Sequence, residues 1–236
     1  MAKVGDAIQA ANANWSFGGQ TREQFEQHIH KSVPFYAEGH QLVEALSDFF
    51  LVEGSVCYDL GCSTGSLMVS LAERHANRQI QFIGIDCEAD MAQQAQAQGQ
   101  TFANIEIRHQ NLIDVELEPA DLIVAYYTMQ FVNPKHRQAI FNQIYEALNW
   151  GGGLILFEKV RAPDARFQDM TTTLYTDFKL QQGYSGDEIV AKTRSLKGVL
   201  EPFSTAGNLG LLERAGFVDI MTVMKYVCFE GFLAIK

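Results

Sequence analysis

The chain has 236 residues, 47% of them hydrophobic, with a formal net charge of −10 and a pI near 5.0. This length and hydrophobic content suit one compact domain and exclude a disordered chain. The 18 Lys and Arg against 28 Asp and Glu argue against direct nucleic-acid binding, which needs a basic face. No segment approaches the roughly 18 apolar residues of a membrane span, so we expect a soluble, cytoplasmic protein.

The cysteines and two closely spaced histidines give no pattern typical of a metal site. There is no CxxC pair, and we expect reduced, packed thiols at Cys57, Cys62, Cys87 and Cys228. His28 and His30 lie two residues apart in a predicted helix, a rotation of about 200° that points their rings to nearly opposite sides. We therefore predict surface histidines and no bound metal.

Two helical segments open the chain, at 21–32 and 34–50, with Pro34 in the first turn of the second. We interpret residues 1–52 as a helical cap over a sheet edge. From Val56 onward, short apolar runs alternate with helical patterns, and these runs are 56–60, 80–86, 104–109, 121–127 and 153–160. Strict alternation of this kind predicts parallel strands joined by helices that cover both faces of a sheet.

A helical insertion follows the fifth strand, at about residues 161–203, before two closing apolar runs at 217–226 and 227–236. These runs are almost contiguous, so they can pair only as a hairpin, because a parallel connection needs a dozen or more residues. The last strand is therefore predicted to be antiparallel. The fold class that we predict is α/β, with a Rossmann-like, mostly parallel sheet of seven strands in a domain spanning 53–236.

The segment VCYDLGCSTG, at 56–65, ends the first strand with an acid and a glycine-rich turn. Gly61 and Gly65 let the chain turn sharply and approach a ligand, and Asp59 can accept from an ammonium group. Asp86 ends the next strand about twenty residues later, the usual spacing of a ribose-binding acid. The turn is not GxGxxG and no lysine follows it, so neither a dinucleotide nor a phosphate loop is indicated. The alternative is that both acids cap helices.

This order of acid, glycine turn and second acid resembles the class I methyltransferase superfamily, whose D/E-x-G-x-G-x-G pattern is matched at Asp59, Gly61 and Gly65. Ser63 replaces the middle glycine. The resemblance implies S-adenosylmethionine as the cofactor, with adenine recognised by a polar side chain and a backbone amide after the third strand. The implied cofactor-binding residues are Asp59, Gly61, Cys62, Ser63, Gly65, Asp86, Cys87, Asn111 and Leu112. Taken alone, Asn111 is equally well explained by an Asx turn.

Several side chains at the ends of later strands are candidates for an acceptor pocket. Tyr126 and Tyr127 end the fourth strand, and Glu158 and Lys159 end the fifth. His109 ends the third. Tyr126, Tyr127, His109 or Glu158 could deprotonate a small-molecule acceptor, and the residues alone do not rank them. Any one of them alone is more often a packing or rim residue.

A closer resemblance, over nearly the whole chain, is to the carboxy-S-adenosylmethionine synthase family, also called the tRNA (cmo5U34) methyltransferase family. The matching pieces are SVPFY at 32–36, YDLGCS at 58–63, IGID at 83–86, TMQF at 128–131, IYEALNWGG at 144–152, LFEKV at 156–160 and FKLQQGYSGDE at 178–188. The resemblance implies a homodimer, a cap whose Tyr36 reaches the cofactor, and conversion of S-adenosylmethionine with prephenate into its carboxylated form. Tyr126 occupies a cofactor-binding position of the family.

Four positions differ from the family pattern. The chain has Cys87 and Tyr126 where the family has Asn, Asn111 where it has Asp, and Thr193 where an arginine holds the added carboxylate from the neighbouring subunit. Arg194 comes one residue later, about 100° round the helix, so it is predicted to point away. We therefore expect an S-adenosylmethionine-dependent methyltransferase acting on a small molecule. The alternatives are carboxy-S-adenosylmethionine synthesis and a non-catalytic binding module.

Overall fold

The computed structural model describes residues 1–6 and 8–236, and all side chains in that range other than those of residues 20–23. The strands are β1 (Ala2–Lys3), β2 (Gln9–Ala10), β3 (Val56–Leu60), β4 (Gln81–Asp86), β5 (Ile105–His109), β6 (Ala120–Tyr126), β7 (Leu148–Lys159), β8 (Asp219–Tyr226) and β9 (Phe229–Ile235). The α-helices are α1 (Gln20–Ser32), α2 (Tyr36–Ser47), α3 (Ser66–Arg74), α4 (Ala89–Gly99), α5 (Pro134–Ala147), α6 (Ala165–Gln181), α7 (Gly186–Ser195) and α8 (Thr205–Ala215).

The main sheet has seven strands in the order β5-β4-β3-β6-β7-β9-β8. Strands β3 to β7 pair in parallel, and β9 enters antiparallel between β7 and β8, with Phe157 opposite Gly231. The ring of Phe157 packs where a Cβ at residue 231 would lie, so glycine is needed there. The predicted Rossmann-like sheet with an antiparallel last strand is confirmed.

Hydrophobic side chains fill both faces of this sheet, as expected of parallel strands covered by helices. On one face, Met68 and Leu71 of α3 join Val43 of α2 against the sheet. On the other face, Phe141 of α5 and Leu212 of α8 pack against the sheet. The central strand β6 is almost wholly buried, which explains why its sequence is a continuous apolar run rather than an alternating one.

The N-terminal residues form more than the predicted pair of helices. The short strands β1 and β2 pair, and a small core of Val4, Ile8, Ala10 and Trp15 packs beneath α7 of the insertion. The amide of Trp15 donates to the carbonyl of Ser195 at 3.2 Å. The cap and the insertion therefore meet over the carboxyl ends of the strands. The proposed boundary at residue 52 stays a prediction.

The start of α2 differs from the sequence prediction. Phe35, the N-cap residue, has a left-handed backbone with φ of 57°, so Pro34 lies before the helix rather than in its first turn. The chain thus bends sharply between α1 and α2 and brings Tyr36 inward, where it is buried. None of the helices in the described part of the chain is long and apolar enough to cross a membrane.

Candidate active site

A cavity of about 700 Å³ opens beyond the carboxyl ends of β3, β4 and β6. The strand order reverses between β3 and β6, which is where ligands bind in open α/β sheets. The cap closes one side through α1 and α2, and the insertion closes another through α6 and α7. The volume suits a ligand of nucleoside size together with a second small molecule.

The turn after β3 has the backbone that its glycines predict. Gly61, Ser63 and Gly65 all have positive φ, at 79°, 53° and 83°. A Cβ at residue 61 would clash with the side chain of Thr128, so only glycine fits there. Ser63 has a conformation that is uncommon for a residue with a side chain, and such strain is typical of ligand-binding turns. Gly61, Cys62 and Ser63 line the cavity, whereas Gly65 turns the chain into α3.

Asp86 is fixed by two backbone amides at the edge of this turn. Its Oδ2 accepts from the amide of Ser63 and its Oδ1 from the amide of Glu88, each at 2.8 Å. Each oxygen retains capacity to accept a further hydrogen bond, and Asp86 lines the cavity, so the carboxylate can accept from two vicinal hydroxyls. Burial raises the pKa of Asp86, while the two amides and His109 lower it.

Asp59 is a buried acid, 2% exposed, that lines the cavity without a hydrogen-bond partner from the described residues. Burial, and then the nearby charge of Asp86, raise the pKa of Asp59 to about 7. A cationic ligand would favour its ionised form and lower that pKa. The amino group of S-adenosylmethionine is such a cation, and no residue lining this half of the cavity at 59–67 or 85–88 is basic.

The residues predicted to hold adenine lie along the rim of the same cavity. Asn111 is exposed, and its Oδ1 accepts from the amide of Ile113 at 3.1 Å, which is the Asx turn offered as its alternative explanation. Its side-chain NH₂ group stays available to a ligand. Leu112 is buried, Cys87 is exposed, and both line the cavity.

An aromatic cluster forms the wall opposite the glycine turn. Tyr36 contacts Tyr126 edge to face at 5.1 Å between ring centroids, and His40 packs 4.7 Å from Tyr36. The hydroxyl of Tyr126 donates to the carbonyl of Tyr36 at 2.7 Å, which ties the start of α2 to the end of β6. Tyr36 therefore lines the cavity, held there by Tyr126, and its contact with the cofactor stays a prediction.

The hydroxyls of Tyr126 and Tyr127 are unsuited to act as bases. Burial is the first cause that raises both pKa values, so both groups keep their protons. The hydroxyl of Tyr127 has no hydrogen-bond partner among the described residues although it is buried, and its backbone has φ of 59°. Tyr127 lines the cavity while its hydroxyl is buried and unpaired, so this hydroxyl can donate a hydrogen bond to a ligand that reaches it.

His109 and Glu158, the two other candidate bases, are not among the cavity-lining residues. His109 is exposed, lies 3.1 Å from the carbonyl of Cys87 and pairs in register with Asp86 of β4. Glu158 is 1% exposed, and its Oε1 accepts from the amide of Gln130 at 3.2 Å. Burial raises the pKa of Glu158 to about 8. Glu158 thus supports the turn at Gln130, and neither residue lines the cavity in which an acceptor would bind.

Lysines line the remaining part of the cavity, which we call the acceptor half. Lys159 was predicted there and lies with its Nζ 4.2 Å from the ring centroid of Tyr175. Lys179 lies 4.5 Å from the same ring, and Lys192 lines the wall beside them. No carboxylate of the described residues lies within 4.0 Å of these three ammonium groups. Burial lowers all three pKa values, that of Lys179 to about 8.

The insertion carries Thr193, the residue that stands where the family has an arginine. Thr193 lines the cavity, and its hydroxyl donates to the carbonyl of Ile189 at 2.9 Å. Arg194 is exposed and makes no side-chain hydrogen bond or ion pair with the described residues, as the helix rotation predicted. Two lysines close to Thr193 in the chain, Lys192 and Lys197, also line the cavity.

His28 was predicted to lie on the surface, and this prediction is wrong. It is 4% exposed and stacks on Trp15, and both side chains line the cavity. Helix α1 packs under α7 here, a long-range contact that rotation along one helix does not reveal. Lys179, His28 and Trp15 are the site residues that sequence reasoning missed. Among the described residues, no cluster of three or more acids, histidines and cysteines is placed to hold a metal.

Comparisons with known proteins agree with this fold and show the family. The methyltransferase domain family matches residues 57–152. A candidate S-adenosylmethionine-dependent methyltransferase from Methanococcus maripaludis superposes with a TM-score of 0.63 at 17% identity, covering 97% of both chains, and so shares the fold. The chain is 37% identical to the carboxy-S-adenosyl-L-methionine synthase of Staphylococcus epidermidis, over 94% of this chain and 97% of the relative. It is 36% identical to that of Campylobacter jejuni, over 97% of both.

The fold and the two acids at the strand ends define an S-adenosylmethionine-dependent transferase with a methyltransferase domain. Full-length similarity is more specific, and the chain belongs to the carboxy-S-adenosyl-L-methionine synthase family. The cofactor is S-adenosylmethionine, and the residues present fit it. Asp59 suits its ammonium group, Asp86 suits its ribose, and the glycine turn admits it closely.

Proposed function

We propose that this protein converts S-adenosylmethionine and prephenate into carboxy-S-adenosylmethionine, which was the alternative to our leading expectation. The observation that carries the proposal is the set of three lysines in the acceptor half, Lys159, Lys179 and Lys192. Lys179 is buried and the other two are half-buried, and cations so placed without carboxylate partners suit an anionic ligand such as prephenate, which carries two carboxylates. The names of the relatives from S. epidermidis and C. jejuni support the same reaction.

The leading expectation, ordinary methyl transfer, depended on a missing cation at Thr193. A carboxylate in a partly dry pocket is costly without a positive partner. In the resembling family that arginine serves the neighbouring subunit, whereas Lys192 lines the cavity of its own chain. Lys192 can supply the positive charge there, although as a point charge rather than a planar fork. The substitution therefore changes which residue neutralises the carboxylate and does not remove the neutralisation.

The net reaction balances without an oxidant or a reductant. Prephenate loses its ring carboxyl group and its ring hydroxyl group as it becomes aromatic. A carbon–carbon bond forms between that carboxyl carbon and the sulfonium methyl carbon, which gives up one proton. The proton and the departing hydroxide form water, so the products are the carboxylated sulfonium, phenylpyruvate and water.

The protein's task in such a reaction is to align the two molecules and to exclude water. The cap and the insertion cover the cavity, which keeps the exchanged carboxyl group from escaping. Tyr127 keeps its proton and donates a hydrogen bond to an oxygen of the co-substrate. The three lysines balance its negative charge.

Ordinary methyl transfer to a small molecule remains the second candidate, favoured by one observation, the uncharged Thr193. A non-catalytic binding module is less well supported. Asp59 and Asp86 retain the positions that a cofactor needs, and the acceptor half is equally well formed.

Mass spectrometry of the nucleoside that the purified protein retains tests the proposal. We expect carboxy-S-adenosylmethionine, and its formation when S-adenosylmethionine and prephenate are supplied. The Asp86→Ala variant, which should bind the cofactor more weakly and so retain less of it, serves as the control. Retention of S-adenosylmethionine alone, with no product from prephenate, would contradict the proposal and favour methyl transfer. No retained nucleoside and no measurable binding would favour the module.

The assembly that we propose is a homodimer formed through helix α6. Phe167, Met170 and Leu174 project from one face at helical spacing and are 49%, 60% and 54% exposed. A monomeric soluble protein rarely exposes such a stripe. Val190 and Arg194 of the neighbouring helix α7 are also exposed. In the family that the chain resembles, an arginine of this helix enters the neighbouring subunit's site. A second copy of the chain is therefore the occupant that we infer.

The acidic charge of the chain supports the absence of direct contact with nucleic acid, so any role in tRNA modification would be indirect. Its partner is a small-molecule acceptor rather than a membrane. All four cysteines are free, which is typical of a reducing compartment and supports a cytoplasmic location.

A further inference from the structure

Asp6, His28 and Lys192 form a hydrogen-bonded chain that ends in the acceptor half. We propose that Asp6 and His28 are positioning residues for Lys192, which with Lys159 and Lys179 forms a subsite for a dicarboxylate co-substrate. This inference rests on the proposed function for the identity of the co-substrate. In this arrangement Asp6 and His28 of the cap orient Lys192 of the insertion, and all three residues belong to the same chain.

The hydrogen bonds run from a buried acid to the cavity. Nδ1 of His28 lies 2.8 Å from Oδ2 of Asp6, and Nε2 of His28 lies 3.1 Å from Nζ of Lys192. Asp6 can only accept, so Nδ1 carries the ring proton and the lone pair of Nε2 accepts from the ammonium group. Asp6 thereby selects the tautomer of His28 that can hold Lys192.

Neighbouring groups keep His28 in this neutral, accepting form. The charged and titratable groups that face it are Asp6, Lys31, Lys192 and the hydroxyl of Tyr184. Burial and then Lys192 lower the pKa of His28 to about 4, against the opposing effect of Asp6. A protonated imidazole would repel the ammonium group, so a neutral ring is required for the chain to work.

Aromatic contacts also hold the side chain of Lys192 in place. Its Nζ lies over the ring of Trp15, and that ring stacks on His28 with 28° between their planes. A cation over an indole is attracted to the ring face. Lys192 is therefore held by a ring nitrogen and an aromatic face, and none of the described carboxylates lies within 4.0 Å of its Nζ.

The other two lysines make this a subsite for more than one negative charge. Lys159 and Lys179 both contact the ring of Tyr175, and Lys192 is close enough to Lys179 to lower its own pKa. Three desolvated cations repel one another, and a ligand with two carboxylates would relieve that repulsion. Glu201 also lines the cavity, but it forms no ion pair with any of the three lysines.

Calorimetry on the protein loaded with S-adenosylhomocysteine tests the subsite without requiring turnover. The probes are prephenate and malonate, and the variants are His28→Leu, Asp6→Asn and Lys192→Met. We expect each variant to weaken prephenate binding about tenfold, the loss of one charge-assisted contact, with no further loss when His28→Leu and Lys192→Met are combined. His28→Gln, which keeps an acceptor, should recover part of the affinity. His136→Leu, on α5 away from the cavity, should change nothing.

Affinity for S-adenosylhomocysteine separates a local effect from misfolding, and it should stay constant in every variant. Unchanged prephenate affinity in His28→Leu and Asp6→Asn would overturn the positioning roles. Failure of the parent to bind either probe would overturn the subsite. If both probes bind as predicted but prephenate yields no carboxylated cofactor, the proposed reaction is wrong while the subsite stands.

Discussion

Oδ2 of Asp86 lies 2.8 Å from the amide nitrogen of Ser63, which joins the end of β4 to the glycine turn after β3. We expect Asp86→Ala to weaken S-adenosylmethionine binding by more than about 1.5 kcal/mol, roughly tenfold or more, because hydrogen bonds to a charged acceptor contribute about 1.5–3 kcal/mol each. Calorimetry measures this loss, with Asp219→Ala on the exposed face of β8 as the control. Binding as tight as in the parent would contradict the ribose assignment.

The raised pKa of Asp59 predicts a pH-dependent cofactor affinity. Burial raises this pKa to about 7 in the free protein, so the carboxyl group is protonated below that pH and cannot attract an ammonium group. Binding should therefore be strongest above about pH 7 and weaken towards about pH 5.5, by up to tenfold per unit, with release of protons on binding. The raised pKa of Asp86 acts in the same direction.

Titrations of the parent and of Asp59→Asn at several pH values separate the two acids. The variant should bind more weakly at pH 8 and retain only the shallower dependence due to Asp86. A parent affinity that does not change between about pH 5.5 and 8 would show that Asp59 does not meet the ammonium group.

Tyr126 and Tyr127 are adjacent, yet removing their hydroxyls should have different effects, on stability for Tyr126 and on turnover for Tyr127. Tyr126→Phe removes the bond to the carbonyl of Tyr36 and should lower the free energy of unfolding by about 1 kcal/mol. Tyr127→Phe removes a buried hydroxyl without a partner and should not lower stability, but should reduce kcat about tenfold. Denaturant unfolding and turnover with prephenate measure both effects. Equal behaviour of the two variants would remove the donor role of Tyr127.

The stripe on α6 predicts that a single charge disrupts the dimer. Met170→Glu places a carboxylate at the centre of the exposed apolar face, where burial against a second copy would be costly. Sedimentation velocity should detect a dimer for the parent and for the control Gln93→Glu on exposed α4, and a monomer for Met170→Glu. A monomeric parent at micromolar concentration would contradict the proposed assembly.

The cofactor half could be predicted from the sequence because its signals are local. Asp59, Gly61 and Gly65 lie within a few residues of one strand end, and positive φ at the glycines follows from the turn. The alternation of apolar runs fixes Asp86 at the same edge of the sheet. The antiparallel hairpin at the end of the chain followed from the short connection between two strands.

The acceptor half could not be predicted in the same way because distant segments build it. Lys159 ends a core strand, whereas Lys179 and Lys192 belong to different helices of the insertion. The burial of His28 depends on Trp15 and on α7, whose Lys192 is 164 residues away from His28 in the chain. The rotation of Arg194 away from the cavity could be predicted from helix geometry, but the contact of the Lys192 side chain with the cavity could not.

Transfer of the carboxyl group itself is the most direct test of the proposed reaction. The protein is supplied with S-adenosylmethionine and with prephenate labelled with ¹³C in its ring carboxyl group, and the nucleoside is analysed by mass spectrometry and NMR. We predict that the label appears in a new carboxyl group on the former methyl carbon, with one phenylpyruvate released for each labelled nucleoside. An unlabelled S-adenosylmethionine pool beside intact prephenate, under conditions where both are shown to bind, would contradict it.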